Sequence, residues 1–276
     1  MKIFSHRIYY KYGEIIKLIP LFDIHIGHKC CDVSALRRFI QENNNKSTYW
    51  LLGGDQLDCI IVTDPRYRKS TDATEREEII DEQIEMLYEI LKPIKNNIIL
   101  IGDGNHELTI IKKGNTNPTK NLIKMLYGYD KDIIKEKYGG MQGLGVIYFE
   151  NGKSGGGVRT IILRWHHGWG GATTTEGYTI TKYAKDVAYY DADIYLYGHT
   201  HECKPIRINR FGLMKRSNKL IAKDILLAVC GSYKKSFLMD GTITWEETKG
   251  FKPLAIGTPI IFLQPTTPGI KYWCNV

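Results

Sequence analysis

Residues 193–204 read DIYLYGHTHECK: an apolar run from Ile194 to Tyr197 stops at Gly198 and delivers two histidines, His199 and His201, one residue apart. In extended chain, alternate side chains share a face, so both imidazoles look into one space just beyond a strand end. Two nitrogen donors aimed at one space suit a metal ion and call for partners elsewhere in the chain.

The same layout recurs upstream. EIIKLIPLFDIHIG (14–27) reads as a buried strand ending at Asp23, TYWLLGGDQLD (48–58) as one ending at Gly53 and Gly54, and NNIILIGDGNHE (96–107) repeats the design. Between the second and third strands, TEREEIIDEQIEMLYEILKP (74–93) has helical spacing at Ile80, Ile84, Leu87 and Leu91, a capping box at Thr74 and Glu77, and a stop at Pro93. PTKNLIKMLYGYDKDIIKEKYGG (118–140) reads as helix broken near Gly128, and GVIYFENGKSGGGVRTIILRW (145–165) as two strands joined by a glycine-rich turn. That turn contains Gly152-Lys153-Ser154, but a phosphate-binding loop needs glycine where Ile147 stands, so a hairpin tip is expected. TKYAKDVAYYDADIYLYGH (181–199) is helix then strand, and the last third reads as strands with turns at Gly212, Gly241, Gly257 and Pro268. Alternation of strand and helix followed by a β-rich second half predicts a layered α/β sandwich, with residues 1–276 as one domain.

Composition sets the outer bounds. With 276 residues, 43% hydrophobic and 25% charged, the chain can bury a sizeable core. No window reaches the roughly 18 uninterrupted apolar residues of a membrane span, and MKIFSHRIYYKYGE lacks the apolar core of a signal peptide, so a cytoplasmic location with no membrane partner is expected. The six cysteines show no paired CxxC spacing and are read as reduced thiols. A net charge of +8 favours anionic partners. Oligomeric state leaves no mark in the sequence.

Five polar clusters stand at predicted strand ends: Asp23 and His25; Asp55 and Asp58; Asn105, His106 and Glu107; His166 and His167; His199 and His201. Six of the eight histidines lie in them. Ligands at the carboxyl ends of strands in open α/β sheets converge on one crevice, so a shared site is predicted. His6 and His28 fit no cluster and are read as solvated or hydrogen-bonded structural residues.

The ordered series DIH, GDQLD, GNHE, HHG and GHTH, spanning residues 23 to 201, resembles the motif set of the calcineurin-like metallophosphoesterases. The resemblance implies an α/β/β/α sandwich of mixed sheets with flanking helices. It also implies two divalent metal ions about 3.5–4 Å apart. One ion would take Asp23, His25, Asp55 and His201, the other Asp55, Asn105, His167 and His199, with Asp55 bridging. His167 is preferred to His166 because the family's ligand precedes glycine. His106 would act as general acid and Asp58 would pair with it, while Glu107 is read as a cap of the following turn. Oxygen and imidazole ligands without thiolate suit manganese, the expected ion, as well as iron, zinc or nickel.

Substrate class is argued from charge. Residues 203–223 hold Lys204, Arg207, Arg210, Lys215, Arg216, Lys219 and Lys223 and no acid, and are expected to form a basic rim to which Lys204 and Arg207 contribute substrate contacts. DPRYRKS (64–70) adds Arg66 and Arg68, with Tyr67 as a stacking candidate, and IKKGNTNPTK (111–120) adds Lys112, Lys113 and Lys120. These favour a phosphodiesterase acting on DNA or RNA, similar to the SbcD-like nuclease branch. A serine/threonine phosphatase is the alternative, weakened because Cys59 and Ile60 stand where phosphatases carry Arg-Gly. An inactive binding scaffold, as in the retromer subunit of this fold, would have lost ligands that are all present here. Tyr233, Phe237 and Trp245 are candidates to close over substrate, with core packing as the leading expectation.

Overall fold

The computed structural model describes residues 1–64, 67, 79–152, 157–171, 174–214, 217–267 and 269–276. In chain order the elements are β1 (Lys2–Tyr9), β2 (Ile16–Leu21), α1 (Val33–Asn43), β3 (Thr48–Leu52), α2 (Ile79–Leu91), β4 (Ile98–Gly102), α3 (Asn105–Gly114), α4 (Pro118–Tyr127), α5 (Lys131–Lys137) and β5 (Tyr138–Gly140). There follow β6 (Gln142–Glu150), β7 (Arg159–His166), α6 (Tyr178–Ala184), β8 (Ile194–Tyr197), β9 (Cys203–Met214), β10 (Lys219–Cys230), α7 (Trp245–Thr248), β11 (Ile260–Pro265) and β12 (Ile270–Asn275).

The strands form two mixed sheets, ordered β1-β6-β7-β8-β10-β9 and β12-β11-β2-β3-β4-β5. Three apolar layers explain the stacking. Leu18, Leu51 and Leu100 of one sheet meet Leu163, Trp165 and Leu196 of the other between the sheets. The opposite face of β2 and β3, with Ile19, Leu21 and Trp50, is covered by Leu36 of α1, Leu87 of α2 and Leu122 of α4. Tyr195, Tyr197 and Leu227 pack outward against Tyr183 of α6. Helix, sheet, sheet, helix is the expected α/β/β/α order, and it accounts for apolar side chains on both faces of β4, where every residue is buried.

Local chemistry sets the helix ends. Asp32 caps α1 by accepting from Ala35 N, Asn117 caps α4 with Pro118 behind it, and Gly128 ends α4 at φ 87°, the left-handed turn that predicted the break. α2 buries Ile84, Leu87 and Leu91 as its spacing required; beyond it the chain continues through Pro93 as a 3-10 turn (residues 92–97) before β4. The capping box expected at Thr74 and Glu77, the hairpin tip at 153–156 and Pro268 lie outside the described residues. One turn is corrected: Gly212 sits inside β9, paired with Ile221 of β10, and the strands reverse after Met214 instead. All six cysteines are free thiols. Among the described residues no helix is long and apolar enough to cross a membrane.

Candidate metal centre

β2, β3 and β4 run parallel, as do β7 and β8 in the other sheet. Their carboxyl ends deliver Asp23, Asp55, Asn105, His167 and His199 to one crevice between the sheet edges. The loops are tied together by backbone bonds: Asp23 N and His25 N donate to Gly54 O and Asp55 O, each at 3.0 Å, and Gly198 N donates to His167 O at 2.9 Å. Holding five side chains on such short turns requires unusual backbone. Asp23, His25, Asp55, His199 and His201 all have φ between 49° and 72°, a left-handed conformation that costs a non-glycine residue about 1 kcal/mol or more.

Three groups of side chains have ligand atoms mutually within 4.8 Å: Asp23, His25 and His201; His25, Asp55 and His106; and Asp55, His167 and His199. His25 Nε2 faces His201 Nε2 at 3.1 Å, and His201 Nε2 lies 3.6 Å from Asp23 Oδ1. On the other side, Asn105 Oδ1 is 3.1 Å from His167 Nε2 and 2.8 Å from His199 Nδ1, and Asp55 Oδ2 is 3.3 Å from His167 Nε2. Asp55 therefore stands between the two halves. His167 Nδ1 donates to Gly53 O at 3.2 Å, which leaves Nε2 facing the crevice. His166 points away: its Nδ1 accepts from Gly168 N at 2.8 Å and its ring meets Trp169 edge-on.

These groups fit divalent metal. Asp23 is fully buried, and while its Oδ2 accepts from His199 N at 2.7 Å, its Oδ1 has no hydrogen-bond partner. An orphaned carboxylate oxygen facing two imidazole nitrogens is what a cation would satisfy. Burial pushes the Asp23 carboxyl well above its usual range and holds His25 and His201 well below theirs, so both rings keep a lone pair to offer. Burial would raise Asp55 too, but the imidazoles of His167 and His106 outweigh it and hold this carboxylate ionised.

A profile of the calcineurin-like phosphoesterase family matches residues 23–203, the interval that carries all five clusters. The chain belongs to the calcineurin-like phosphoesterases. Among solved structures, similarity extends to a metallophosphoesterase from Sphaerobacter thermophilus, at 12% identity and TM-score 0.37 over 95% of this chain and 89% of that one. It extends also to a conserved uncharacterized protein, a predicted phosphoesterase, from Streptococcus pneumoniae TIGR4, at 12% identity and TM-score 0.31 over 95% and 99%. Zinc-complexed wild-type Vps29 from Entamoeba histolytica is similar at 11% identity and TM-score 0.35 over 94% and 98%. No curated protein matches the chain.

Around the ligands this phosphoesterase departs from the sequence reading in several places. Glu107 caps the first turn of α3, as read, but does more than that. It is fully buried at the third position of α3, where Oε2 accepts from Gly104 N (2.8 Å) and Asp55 N (3.0 Å) and Oε1 accepts from Gln56 N (2.8 Å) and Leu57 N (3.0 Å). Burial, with Asp55 adding repulsion, pushes its carboxyl up to about 7. His106 Nδ1 donates a short hydrogen bond to the Asp58 carbonyl, with the Asp58 carboxylate 3.8 Å away. That carboxylate is nearer His25 Nδ1, at 3.3 Å.

The basic rim is also corrected. Lys204 is ion-paired with Glu176 and Glu202, Arg207 with Asp224 at 2.5 Å, and Lys223 with Asp191 and Asp193. β9 then runs away from the crevice and carries Arg210 with it, since Cys203 pairs with Cys230 at the site end and Met214 with Lys219 at the other; Lys215 and Arg216 lie outside the described residues. Eleven steps of extended chain cover about 35 Å. Arg66 and Arg68 lie outside the described residues. Tyr233 is a core residue, 3% exposed, and Trp245 packs edge-on against Phe251.

Sequence reasoning missed the loop after β10. Ser232 Oγ donates to Asp23 O at 2.6 Å and accepts from Lys234 N, and the Lys234 charge is near enough to depress His25, His28 and His201 together. Lys234 Nζ is held by Glu246 at 2.9 Å. No local pattern marks this serine, because its partner is distant in sequence.

Proposed function

We propose that this phosphoesterase hydrolyses phosphodiesters, with nucleic acid as substrate class, at a centre in which Asp23, His25, Asp55 and His201 hold one divalent ion and Asp55, Asn105, His167 and His199 a second. The observation that carries the reading is the arrangement of donor atoms about Asp55, with the buried Asp23 oxygen orphaned beside it. Divalent ions bound there, manganese being the expected pair, would supply Lewis acidity and lower the pKa of water. His106 supplies the proton. Its Nδ1–H is fixed on the Asp58 carbonyl, so Nε2 faces the crevice, 3.8 Å from Asp55 Oδ2. As water adds to phosphorus and the P–O bond to the leaving alcohol breaks, the protonated ring delivers its Nε2 proton to the departing oxygen. The carboxylates of Asp55 and Asp58 each lie 3.8 Å from a ring nitrogen of His106.

The deciding assay offers protein with manganese a panel of bis-p-nitrophenyl phosphate, p-nitrophenyl phosphate, single-stranded and duplex DNA, RNA and a phosphopeptide. Diester and nucleic-acid turnover, abolished by Asp55→Ala and reduced by His106→Ala with metal content retained, is expected; preference for the monoester and phosphopeptide would reassign the enzyme as a phosphatase.

A further inference from the structure

Beside the GHTH motif Lys204, Arg207 and Lys223 are ion-paired with carboxylates, whereas a second group of lysines makes no ion pair among the described residues. Lys2 of β1, Lys120 of α4, and Lys131 and Lys135 of α5 line an open basin of about 550 Å³ whose floor is Ile134 and Tyr138 with the backbone of Gly139 and Gly140. No carboxylate lines this basin, and among the described residues none of the four ammonium groups makes an ion pair. Lys120 lies 4.7 Å above the Tyr138 ring, and Lys2 donates to the Lys135 carbonyl, which draws two of the strands and helices around one pit. Glu136 acts on Lys2 and Asp103 on Lys120 from outside the lining, but the four ammonium groups outnumber them, an excess of like charge that a bound polyanion relieves.

The basin adjoins the strand ends that carry the metal ligands. Its floor is continuous with the loops that hold the ligands: Asp103 N, two residues before Asn105, donates to Gly140 O at 2.7 Å, and His167 N donates to Met141 O at 2.9 Å. Lys2 pairs with Gly143, the neighbour of Gln142, which stands opposite His166. An anion in the basin is thus one short backbone link from the crevice.

We propose that Lys2, Lys120, Lys131 and Lys135 form a docking subsite for the phosphodiester backbone of a nucleic-acid strand whose scissile bond enters the metal centre, an inference that rests on nucleic acid being the substrate. The lysines contribute point charges spaced around an apolar, aromatic floor, which matches repeated phosphates beside a sugar and base.

Binding of a short fluorescein-labelled single strand is measured by anisotropy in EDTA, so that no turnover is needed. The test variant is Lys131→Glu with Lys135→Glu, because among the described residues neither side chain makes a hydrogen bond or ion pair; the control, Lys219→Glu with Lys271→Glu, makes the same charge change on β10 and β12. The basin variant is expected to bind about tenfold more weakly, with a salt slope shallower by about 1.4, and the control to stay near wild type. Equal losses in both variants, or no loss in the basin variant, overturns the subsite. Displacement of the strand by polyglutamate as readily as by unlabelled DNA also overturns it, in favour of an acidic peptide. Because the readout is binding alone, failure here leaves diester hydrolysis standing, and failure of hydrolysis leaves this result intact.

Discussion

His25 Nε2 and His201 Nε2 face each other across 3.1 Å, with the unpartnered Asp23 Oδ1 3.6 Å from the latter. Among the described residues nothing satisfies all three atoms at once, so divalent metal should bind the folded state strongly and the unfolded chain weakly. At a hundredfold excess over the dissociation constant, each ion adds about 2.7 kcal/mol to stability. Thermal unfolding with manganese or zinc is expected at least about 5 °C above that in EDTA. Metal analysis should give two ions per chain, falling to one in His201→Ala. An unchanged melting temperature with saturating metal would rule out the centre.

Glu107 is predicted to matter more for stability than for chemistry. Its carboxylate takes four backbone N–H groups that are otherwise buried, and three belong to the turn that presents Asp55. Glu107→Ala strands these donors and should cost about 3–5 kcal/mol by urea unfolding in EDTA. Glu107→Gln, which keeps one acceptor oxygen and adds two competing donors, should fall between. Wild-type stability in the alanine variant would show that water replaces the carboxylate.

The parts of the centre legible in sequence are those that sit next to a strand end. Asp23, Asp55, Asn105 and His199 follow apolar runs directly, and period-two spacing placed His201 beside His199. What sequence could not show is long-range. Glu107 bonds to a turn fifty residues upstream, Ser232 reaches Asp23, and Asp224 neutralises Arg207 from the neighbouring strand. A cation run in sequence is a cation surface only if its strand partners carry no acids, and β10 carries one. The lysine basin escaped notice because β1, α4 and α5 each supply one or two members. The left-handed backbone at five ligand positions leaves no trace either, since Asp and His at a turn read the same in any conformation.

The glycine of GHTH is a packing requirement. A Cβ on Gly198 would lie 2.5 Å from Asp23 Oδ2, 2.5 Å from Phe22 Cδ1 and 3.0 Å from the His167 carbonyl. The first contact would break the bond from His199 N to Asp23, and the carbonyl cannot withdraw without moving the β7 end. Gly198→Ala is therefore expected to lower stability by about 2–4 kcal/mol and to weaken metal binding, read by calorimetric titration. Full metal affinity in a stable Gly198→Ala protein would contradict the geometry.

His6 supplies a pH dependence that is separable from the metal centre. It lies on β1, its ring edge-on to Tyr49 at 5.5 Å and its Nε2 buried without a hydrogen-bond partner, where the sequence reading offered a solvated or hydrogen-bonded residue. Burial, with Lys137 adding repulsion, pushes the imidazole down to about 4 from its ordinary 6.5. Between those values the unfolded chain binds a proton that the folded chain does not, so this contribution is intact above pH 6.5 and stability is lost as pH falls toward 4. The loss reaches about 1–2 kcal/mol by pH 5. Urea unfolding of wild type and His6→Gln at pH 7.5 and pH 5, both in EDTA, isolates it: the variant should gain on wild type by that amount at the lower pH. A constant difference between the two proteins would mean that His6 titrates in the fold as it does in water.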